Sequence, residues 1–358
     1  MAKGLVNWLD ARMGCSELTP CRFTEWRVPA DVSIFQTLGI TALVGLILQV
    51  VSGAFLLVYY VPHPEYAFRS VQDIMTVVPY GWFVRLVHAV GSNLLVAVVL
   101  LHLLTVCVMG SYGKPRELTW VTGSVLLLAV LGFCFTGYLL PWSQLSYWAT
   151  TIMVTMPTYF PFFGEYLVEI LRGGDTISGA SLNRFFALHV GLLPLLCAVL
   201  GGLHVLLVRR IGIFGGSGAE TAVAERPKES GGEGMLFYPD FITRAGVIVM
   251  IYCAVMFFVI TFVPTLFLPE DAVAPANPYK TPLHVRPQWY FLAPYQLLKL
   301  VPNKFLAACL EVIVLALFVL WPFLDRKGGA NVFSRPVLRF LLPALAGLWI
   351  ILTAWGSY

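Results

Sequence analysis

Charge is scarce in this chain. Asp, Glu, Lys and Arg make up 12% of its 358 residues, about half the share of an ordinary soluble protein. Hydrophobic residues make up 58%, and mean hydropathy is +0.80. That balance excludes a soluble globular fold. No CxxC occurs anywhere, which excludes a paired-thiol redox motif, thioether attachment through such a motif and the usual iron–sulfur ligand spacing. Five of the seven cysteines (Cys107, Cys134, Cys197, Cys253, Cys309) lie in apolar runs, where a free thiol behaves as a small hydrophobe. Cys15 and Cys21 lie in the N-terminal tail. The tail has no apolar stretch of signal-peptide type, so the first spanning segment is expected to direct insertion. No nucleic-acid partner is expected.

What is present is a set of long apolar runs. Seven are long enough to span a bilayer, near 33–61, 79–110, 119–140, 182–208, 241–267, 305–324 and 336–355. The sixth is the least comfortable, because Glu311 interrupts it and Pro322 ends it. Between the third and fourth, about forty aromatic and Pro/Gly-punctuated residues read as short interfacial helices rather than another span. The Gly-rich, mixed-charge stretch around 212–234 reads as a flexible linker. The expected fold is therefore all-α and polytopic: a tail (1–32), a four-helix half (33–210), the linker (211–236) and a three-helix half (237–358). With the N-terminus inside, the inner segments hold 15 of the 23 basic residues, counting Arg244 and Arg339 at the starts of the fifth and last spans. The positive-inside rule then puts the N-terminus on the cytoplasmic (n) side and the C-terminus on the opposite (p) side. A multi-pass protein of an energy-transducing membrane, bacterial and cytoplasmic, is expected.

Only six histidines occur, and four lie inside spans: His88 and His102 in the second, His189 and His204 in the fourth. A lone histidine in an apolar helix is ordinarily a polar residue satisfied by a neighbouring helix. Two pairs of similar spacing read differently, because an ionisable group in hydrocarbon is costly. Fourteen positions fall roughly 40° short of whole turns and fifteen overshoot by roughly 60°, so each pair lies near one helix face, about 21–23 Å apart along the axis. The two helices are antiparallel, so His88 matches His189 in depth near the p side and His102 matches His204 near the n side. Zinc ligands would have to lie within a turn or two of one another. The pattern points instead to two stacked bis-histidine haems, with the four histidines as iron ligands.

Gly39 and Gly53 in the first span are fourteen apart, as are Gly123 and Gly137 in the third. Small residues at helix contacts are common in membranes; the shared interval at two depths suggests that they give two macrocycles room to approach the backbone. Arg85 and Arg184 precede the p-side histidines and are candidates for charge-assisted bonds to haem propionates, with interfacial anchoring as the alternative. Arg209 and Arg210 offer the same choice on the n side. His63 and His284 read as loop residues.

The segments GKPRELTWVTG (113–123), TGYLLPWSQLSYWA (136–149), LVEILRGG (167–174) and LNRFFALHVGLLPLL (182–196) closely resemble the cytochrome b/b6 family, and more narrowly its chloroplast-type form. Past the linker, ANPYKTPLHVRPQWYFLAPYQLLKLVPNK (276–304) is similar to the quinol-site loop that this type carries on a separate smaller subunit. The resemblance covers roughly residues 30–356, with both parts fused in one chain. Fourteen residues between the paired histidines of the fourth span also match the chloroplast type.

The resemblance implies the haem b subunit of a quinol:cytochrome c oxidoreductase, or one with a similar acceptor. It implies quinol oxidation on the p side, two b haems in series, quinone reduction on the n side and coupled proton translocation. It also implies a Rieske-type iron–sulfur protein, a c-type cytochrome subunit and the quinone pool as partners, in a homodimeric complex. Gln288, Tyr290 and Tyr138 are the quinol-site candidates. Two departures matter. The family motif Pro-Glu-Trp-Tyr here reads Pro287-Gln288-Trp289-Tyr290. An amide cannot serve as a general base, which leaves Gln288 as a hydrogen-bonding group with proton exit through Tyr138 or water, or else an altered p-side site. The cysteine that tethers an additional n-side haem in the chloroplast type is matched by Thr37. Such a haem would then be held without a thioether or through Cys15 or Cys21, though ordinary tail cysteines fit those two positions better. The competing functions are a di-haem membrane anchor for another dehydrogenase or reductase, without electron bifurcation, and a haem-free transporter.

Overall fold

The computed structural model describes Trp8, Arg12 and residues 26–213, 234–267, 273–282, 285–325 and 331–357. Cys15, Cys21, His284 and most of the expected linker lie outside the described residues.

An apolar run in lipid must satisfy its own backbone polar groups, and a helix does so within one segment. Eleven α-helices follow among the described residues: α1 (Leu38–Leu57), α2 (Ala67–Thr76), α3 (Gly81–Met109), α4 (Glu117–Leu139), α5 (Gln144–Thr155), α6 (Gly164–Arg172), α7 (Gly179–Ile211), α8 (Ile242–Phe262), α9 (Leu292–Leu300), α10 (Lys304–Leu324) and α11 (Leu338–Gly356). Seven of them, α1, α3, α4, α7, α8, α10 and α11, are long and apolar enough to cross a membrane, at the places the sequence indicates. Their outer faces keep large apolar residues exposed, among them Val312, Ile313, Phe340 and Ile350. In water that surface would be untenable. In a bilayer it is the expected exterior of a multi-pass membrane protein.

Local chemistry sets the boundaries. Ser143 and Ser178 cap α5 and α7, and the amide of each cap residue donates in return to the side chain of the serine three residues on. Asn303 caps α10 by accepting from the Leu306 amide. Gly110 and Gly173 end α3 and α6 in the left-handed conformation that glycine adopts freely. The stretch between the third and fourth spans forms the two short helices α5 and α6, as its composition suggests.

In the N-terminal half, α1 lies against α3 and α4 against α7. The C-terminal half docks by α8 on α3 and by α10 on α4. Leu86, Val87 and Val90 of α3 meet Met256, Val259 and Ile260 of α8 in one buried cluster. Polar ties close both ends of the bundle. At the end assigned by charge to the p side (the p end), Trp142 takes a left-handed backbone, φ 50°, and turns the chain into α5. Its carbonyl accepts from the Ala276 amide, the Gln144 amide donates to the Ala274 carbonyl, and the Gln144 side chain brackets Asn277 and Lys280. At the opposite, n end, Asp325 accepts from the Tyr112 hydroxyl and from both terminal nitrogens of Arg335. Burial and the neighbouring carboxylate hold the Tyr112 hydroxyl protonated, its pKa pushed up to about 12.

The fold departs from the sequence reading where the tail meets the linker. Gly234–Leu236, assigned to the linker, form a short strand that pairs antiparallel with Arg27–Pro29 of the expected tail. Phe237, just beyond, stacks on Trp26 at 4.1 Å between ring centres. Backbone pairing of this kind is invisible to a composition test, because Gly-rich segments read alike whether paired or free.

Candidate functional site

The site is built from α1, α3, α4 and α7. At the p end, His88 and His189 face each other with ring centres 6.2 Å apart and planes at 75°. Two imidazoles ligating one metal from opposite sides, each nitrogen ~2 Å from it and ~1.2 Å from its own ring centre, would be separated by about 6.4 Å. At the n end, His102 lies within electrostatic reach of His204. The rings of His88 and His189 thus meet at one depth, as antiparallel helices require.

The spacing in α7 is one residue longer than in α3, and the helix accommodates it. Residues Leu188–Leu192 form a π-helical turn in which the Leu193 amide donates to the Leu188 carbonyl. A π turn absorbs one extra residue, so fifteen positions in α7 span nearly the same angle as fourteen in an uninterrupted helix. His189 itself sits in that turn. Sequence spacing alone left the two pairs about 100° out of phase; the bulge removes the discrepancy.

Each of the four glycines lies against one histidine. A Cβ built on Gly39 would be 3.1 Å from Cε1 of His102, on Gly53 3.2 Å from Cε1 of His88, on Gly123 3.0 Å from Cε1 of His204 and on Gly137 2.5 Å from Cε1 of His189. The clearance is thus taken by the imidazole rings, with α1 cradling the histidines of α3 and α4 those of α7. Three rings are also held by hydroxyls that composition gave no reason to single out. Nδ1 of His88 lies 3.0 Å from Ser52 Oγ, Nδ1 of His204 3.0 Å from Thr122 Oγ1 and Nδ1 of His189 3.2 Å from Thr136 Oγ1. The signal was present as a Ser/Thr immediately before three of the four glycines. A hydroxyl on Nδ1 fixes ring orientation and leaves Nε2 free to ligate a metal. The fourth position is Leu38, and Nδ1 of His102 is buried without a hydrogen-bond partner among the described residues.

A cavity of about 610 Å³ opens around the p-end pair. Its lining includes Gly53, Arg85, His88, Gly137 and His189, and also Tyr138, Gln288 and Tyr290. The loop that follows α8 therefore reaches the same space as the histidines. Trp289 anchors that loop by donating to Asn93 Oδ1 of α3 at 3.0 Å. Tyr290 is 5% exposed, and burial pushes its phenol pKa up, so the group remains a hydroxyl. A second cavity, about 250 Å³, lies on the other side of the loop between α5, α9 and α10. Pro287 and Tyr295 line it, with Met153, Met156 and Glu311.

Arg184 is not brought to the cavity. It is exposed, and its guanidinium donates to the Glu169 carbonyl at 3.2 Å. Thr37 is fully buried and donates to the Ile34 carbonyl. No cluster of three or more potential metal-ligating side chains occurs among the described residues. A cofactor here would be held by opposed pairs. The donors, their separation and the glycine cradles fit an iron macrocycle ligated from both faces.

Residues 23–212 match the family model described as Cytochrome b/b6/petB, and residues 275–358 match that of Cytochrome b(C-terminal)/b6/petD. The chain is 37% identical to a protein named Cytochrome b from Allochromatium vinosum, over 96% of this chain and 87% of that one. It is 33% identical to Cytochrome b of Rickettsia bellii, over 94% and 82%. Its fold is similar to a chain of a solved structure, "Hyperthermophilic respiratory Complex III", with a TM-score of 0.87, 34% identity and coverage of 99% of this chain and 91% of that chain. Since the N-terminal match alone takes in more than half of the residues, and the curated relatives align along nearly the whole length, the chain belongs to the cytochrome b/b6 family.

Proposed function

We propose that the chain is the haem b subunit of a complex III-type quinol:cytochrome c oxidoreductase, oxidising quinol at the p end and reducing quinone at the n end with proton translocation. Membership in the cytochrome b family implies haem b. His88 and His189 would hold one haem, and His102 and His204 a second. Haem bound at these sites supplies reversible one-electron transfer.

The remaining chemistry belongs to the chain. The hydroxyls of Ser52, Thr136 and Thr122 orient three of the four imidazoles. Gly53 and Gly137 at one depth, and Gly39 and Gly123 at the other, keep the backbone clear of the rings. Arg85, on the cavity wall, offers a charge-assisted bond to a propionate. Arg184 is committed to the Glu169 carbonyl and has no part in this reading. Tyr138, Gln288 and Tyr290 offer hydrogen bonds to quinol, and the apolar lining excludes bulk water. The proposed partners are a Rieske-type iron–sulfur protein, a c-type cytochrome and the quinone pool, in a dimeric complex of the bacterial cytoplasmic membrane with the N-terminus on the n side. Thr37 offers no thiol for a tether, so two haems are proposed for this chain.

The observation that carries this reading is the shared cavity. The p-end histidines and the quinol-loop residues Gln288 and Tyr290 line one continuous space. A di-haem anchor needs no such loop at that end. The test is oxidant-induced reduction. With an n-side inhibitor present, oxidant added to the quinol-reduced complex is expected to reduce the b haems further, read from their bands at about 560 nm. Absence of that response would favour the anchor, and absence of the bands altogether a haem-free protein.

A further inference from the structure

Gln288 leaves the quinol loop without a proton acceptor, yet one carboxylate does face the loop from another helix. Glu311 lies on α10, seven residues and so about 10 Å along the helix from its start at Lys304. It lines the 250 Å³ cavity with Pro287 and Tyr295 of the loop region and with Met153 and Met156 from the far end of α5. Everything else lining this space is apolar or aromatic. One carboxyl oxygen of Glu311, Oε1, is buried without a hydrogen-bond partner among the described residues. An ionisable group held within a span is costly unless it is used. A buried acceptor with no donor costs a further ~1–3 kcal/mol. A packing or capping role would give that oxygen a donor. A ligand hydroxyl entering the cavity supplies one.

We infer that Glu311 is the proton acceptor of the quinol site, a catalytic residue occupying from α10 the role that Gln288 cannot fill. The inference rests on the proposed function. Two separate cavities flank the loop: Gln288 and Tyr290 line the larger one, shared with the histidines, and the adjacent Pro287 lines the smaller one, which holds Glu311. In this refinement of the proposed function the quinol ring sits in the smaller cavity, across the loop from the histidines, and donates one hydroxyl to the Glu311 carboxylate. On oxidation that O–H bond breaks, the proton passes to Glu311, and the bonding electrons stay on the quinol oxygen. The ring then loses two electrons, singly, to the one-electron acceptors of the proposed function. The second hydroxyl proton leaves to water at the p face. Quinone is the product, and the Glu311 carboxylic acid returns its proton to the p side before the next turnover.

The experiment uses the whole membrane complex, assayed with a short-chain menaquinol and a short-chain ubiquinol in parallel. Glu311→Gln keeps the shape and removes the base. It is expected to lower kcat for quinol oxidation about 10²–10⁴-fold, the usual worth of a general base, with KM changed less than threefold and the b-haem spectrum intact. Adding Gln288→Glu to that variant places a carboxylate on the other side of the loop and is expected to restore at least tenfold of the loss. A Glu311→Gln complex that oxidises both quinols at the wild-type rate overturns the inference. A second reading needs no variant. In complex labelled with carboxyl-13C glutamate, oxidant added to the quinol-reduced wild type is expected to raise an isotope-shifted carboxylic C=O band in the infrared difference spectrum; its absence also overturns the inference. The two levels separate cleanly. A wild type with no oxidant-induced b reduction refutes the proposed function, whereas a wild type that shows it alongside a fully active Glu311→Gln refutes only the role of Glu311.

Discussion

The two ends of the four-helix half are built from the same parts and finished differently. At the p end both imidazoles are backed by hydroxyls, His88 by Ser52 and His189 by Thr136. At the n end His204 is backed by Thr122, while His102 keeps a buried Nδ1 with no partner among the described residues. The p end also opens into the cavity that the C-terminal loop closes. A near-symmetric scaffold thus carries two unequal sites. Their common geometry comes from helix periodicity, and the inequality comes from single residues at matched depths.

The glycine cradles offer the strongest way to break the comparison. A methyl on Gly137 would approach His189 to 2.5 Å, closer than real contacts permit, whereas on Gly53 it would approach His88 to 3.2 Å, which a few tenths of an ångström relieve. His189 is pinned by Thr136 and by its π turn, so it has little freedom to retreat. Gly137→Ala is expected to abolish the p-end b component of the redox difference spectrum, and Gly53→Ala to leave most of it. Equal losses would show that the two cradles are equally tight.

The ties that close the bundle come next. At the n end, Asp325→Asn leaves Arg335 without its anionic partner and weakens the bond from Tyr112. Removing one member of a largely buried ion pair costs up to ~3–5 kcal/mol, and less here because both side chains keep some solvent contact. At the p end, Gln144→Ala removes two bonds to the 277–280 segment, at about 1–3 kcal/mol for each buried group left unpaired. Thermal loss of the b spectrum is expected to fall to lower temperature in both variants, more for Asp325→Asn. Only Gln144→Ala is expected to slow quinol oxidation, because only its tie positions the quinol loop. If Asp325→Asn slows oxidation as much, the ends are not independent.

Much of this design was legible in the chain, for reasons particular residues make plain. The seven spans were readable because lipid demands long apolar runs. The histidine pairs were readable because residues fourteen or fifteen apart share a helix face. The glycines stand out by their interval, and their contact is with the imidazoles. What escaped had a local signal too weak to weigh alone. Ser52, Thr122 and Thr136 are ordinary residues until the helix beside them is known. The π turn at 188–192 has no composition of its own. The strand at 234–236 was hidden in a Gly-rich segment. Arg184 looked suitable by proximity in sequence, but the end of α6 draws it to the Glu169 carbonyl. In the sequence Glu311 reads only as an interruption of the sixth span, since its significance depends on α10 facing a loop that lies outside that span.

Within each site, removing a hydroxyl isolates its contribution. Thr136→Val keeps the shape and deletes the bond to His189 Nδ1. Loss of such an outer partner typically costs 10–100-fold in affinity at a metal site. The bond also makes the imidazole a stronger donor, which favours the oxidised metal. The p-end midpoint is therefore expected to rise in Thr136→Val, with the n-end midpoint unmoved. A redox titration that resolves the two b components checks both statements at once.

The smallest effect should come from adding the hydroxyl that is missing. Leu38 precedes Gly39 as Ser52 precedes Gly53, and it is 7% exposed, so Thr fits there with loss of some packing. In Leu38→Thr the new hydroxyl would meet the unpartnered Nδ1 of His102 as Ser52 meets that of His88. A more electron-rich imidazole stabilises the oxidised form, so the n-end midpoint should fall while the p-end midpoint stays. About a fivefold change in the reduction equilibrium corresponds to ~40 mV for one electron, well within the resolution of a titration. The direction matters beyond its size. If the n end accepts electrons from the p end, a His102 without a hydroxyl partner keeps the n-end potential high and the transfer downhill, and Leu38→Thr should slow quinone reduction at the n end in proportion. An n-end midpoint that rises or does not move would mean that the bare Nδ1 has no part in setting the difference between the two sites.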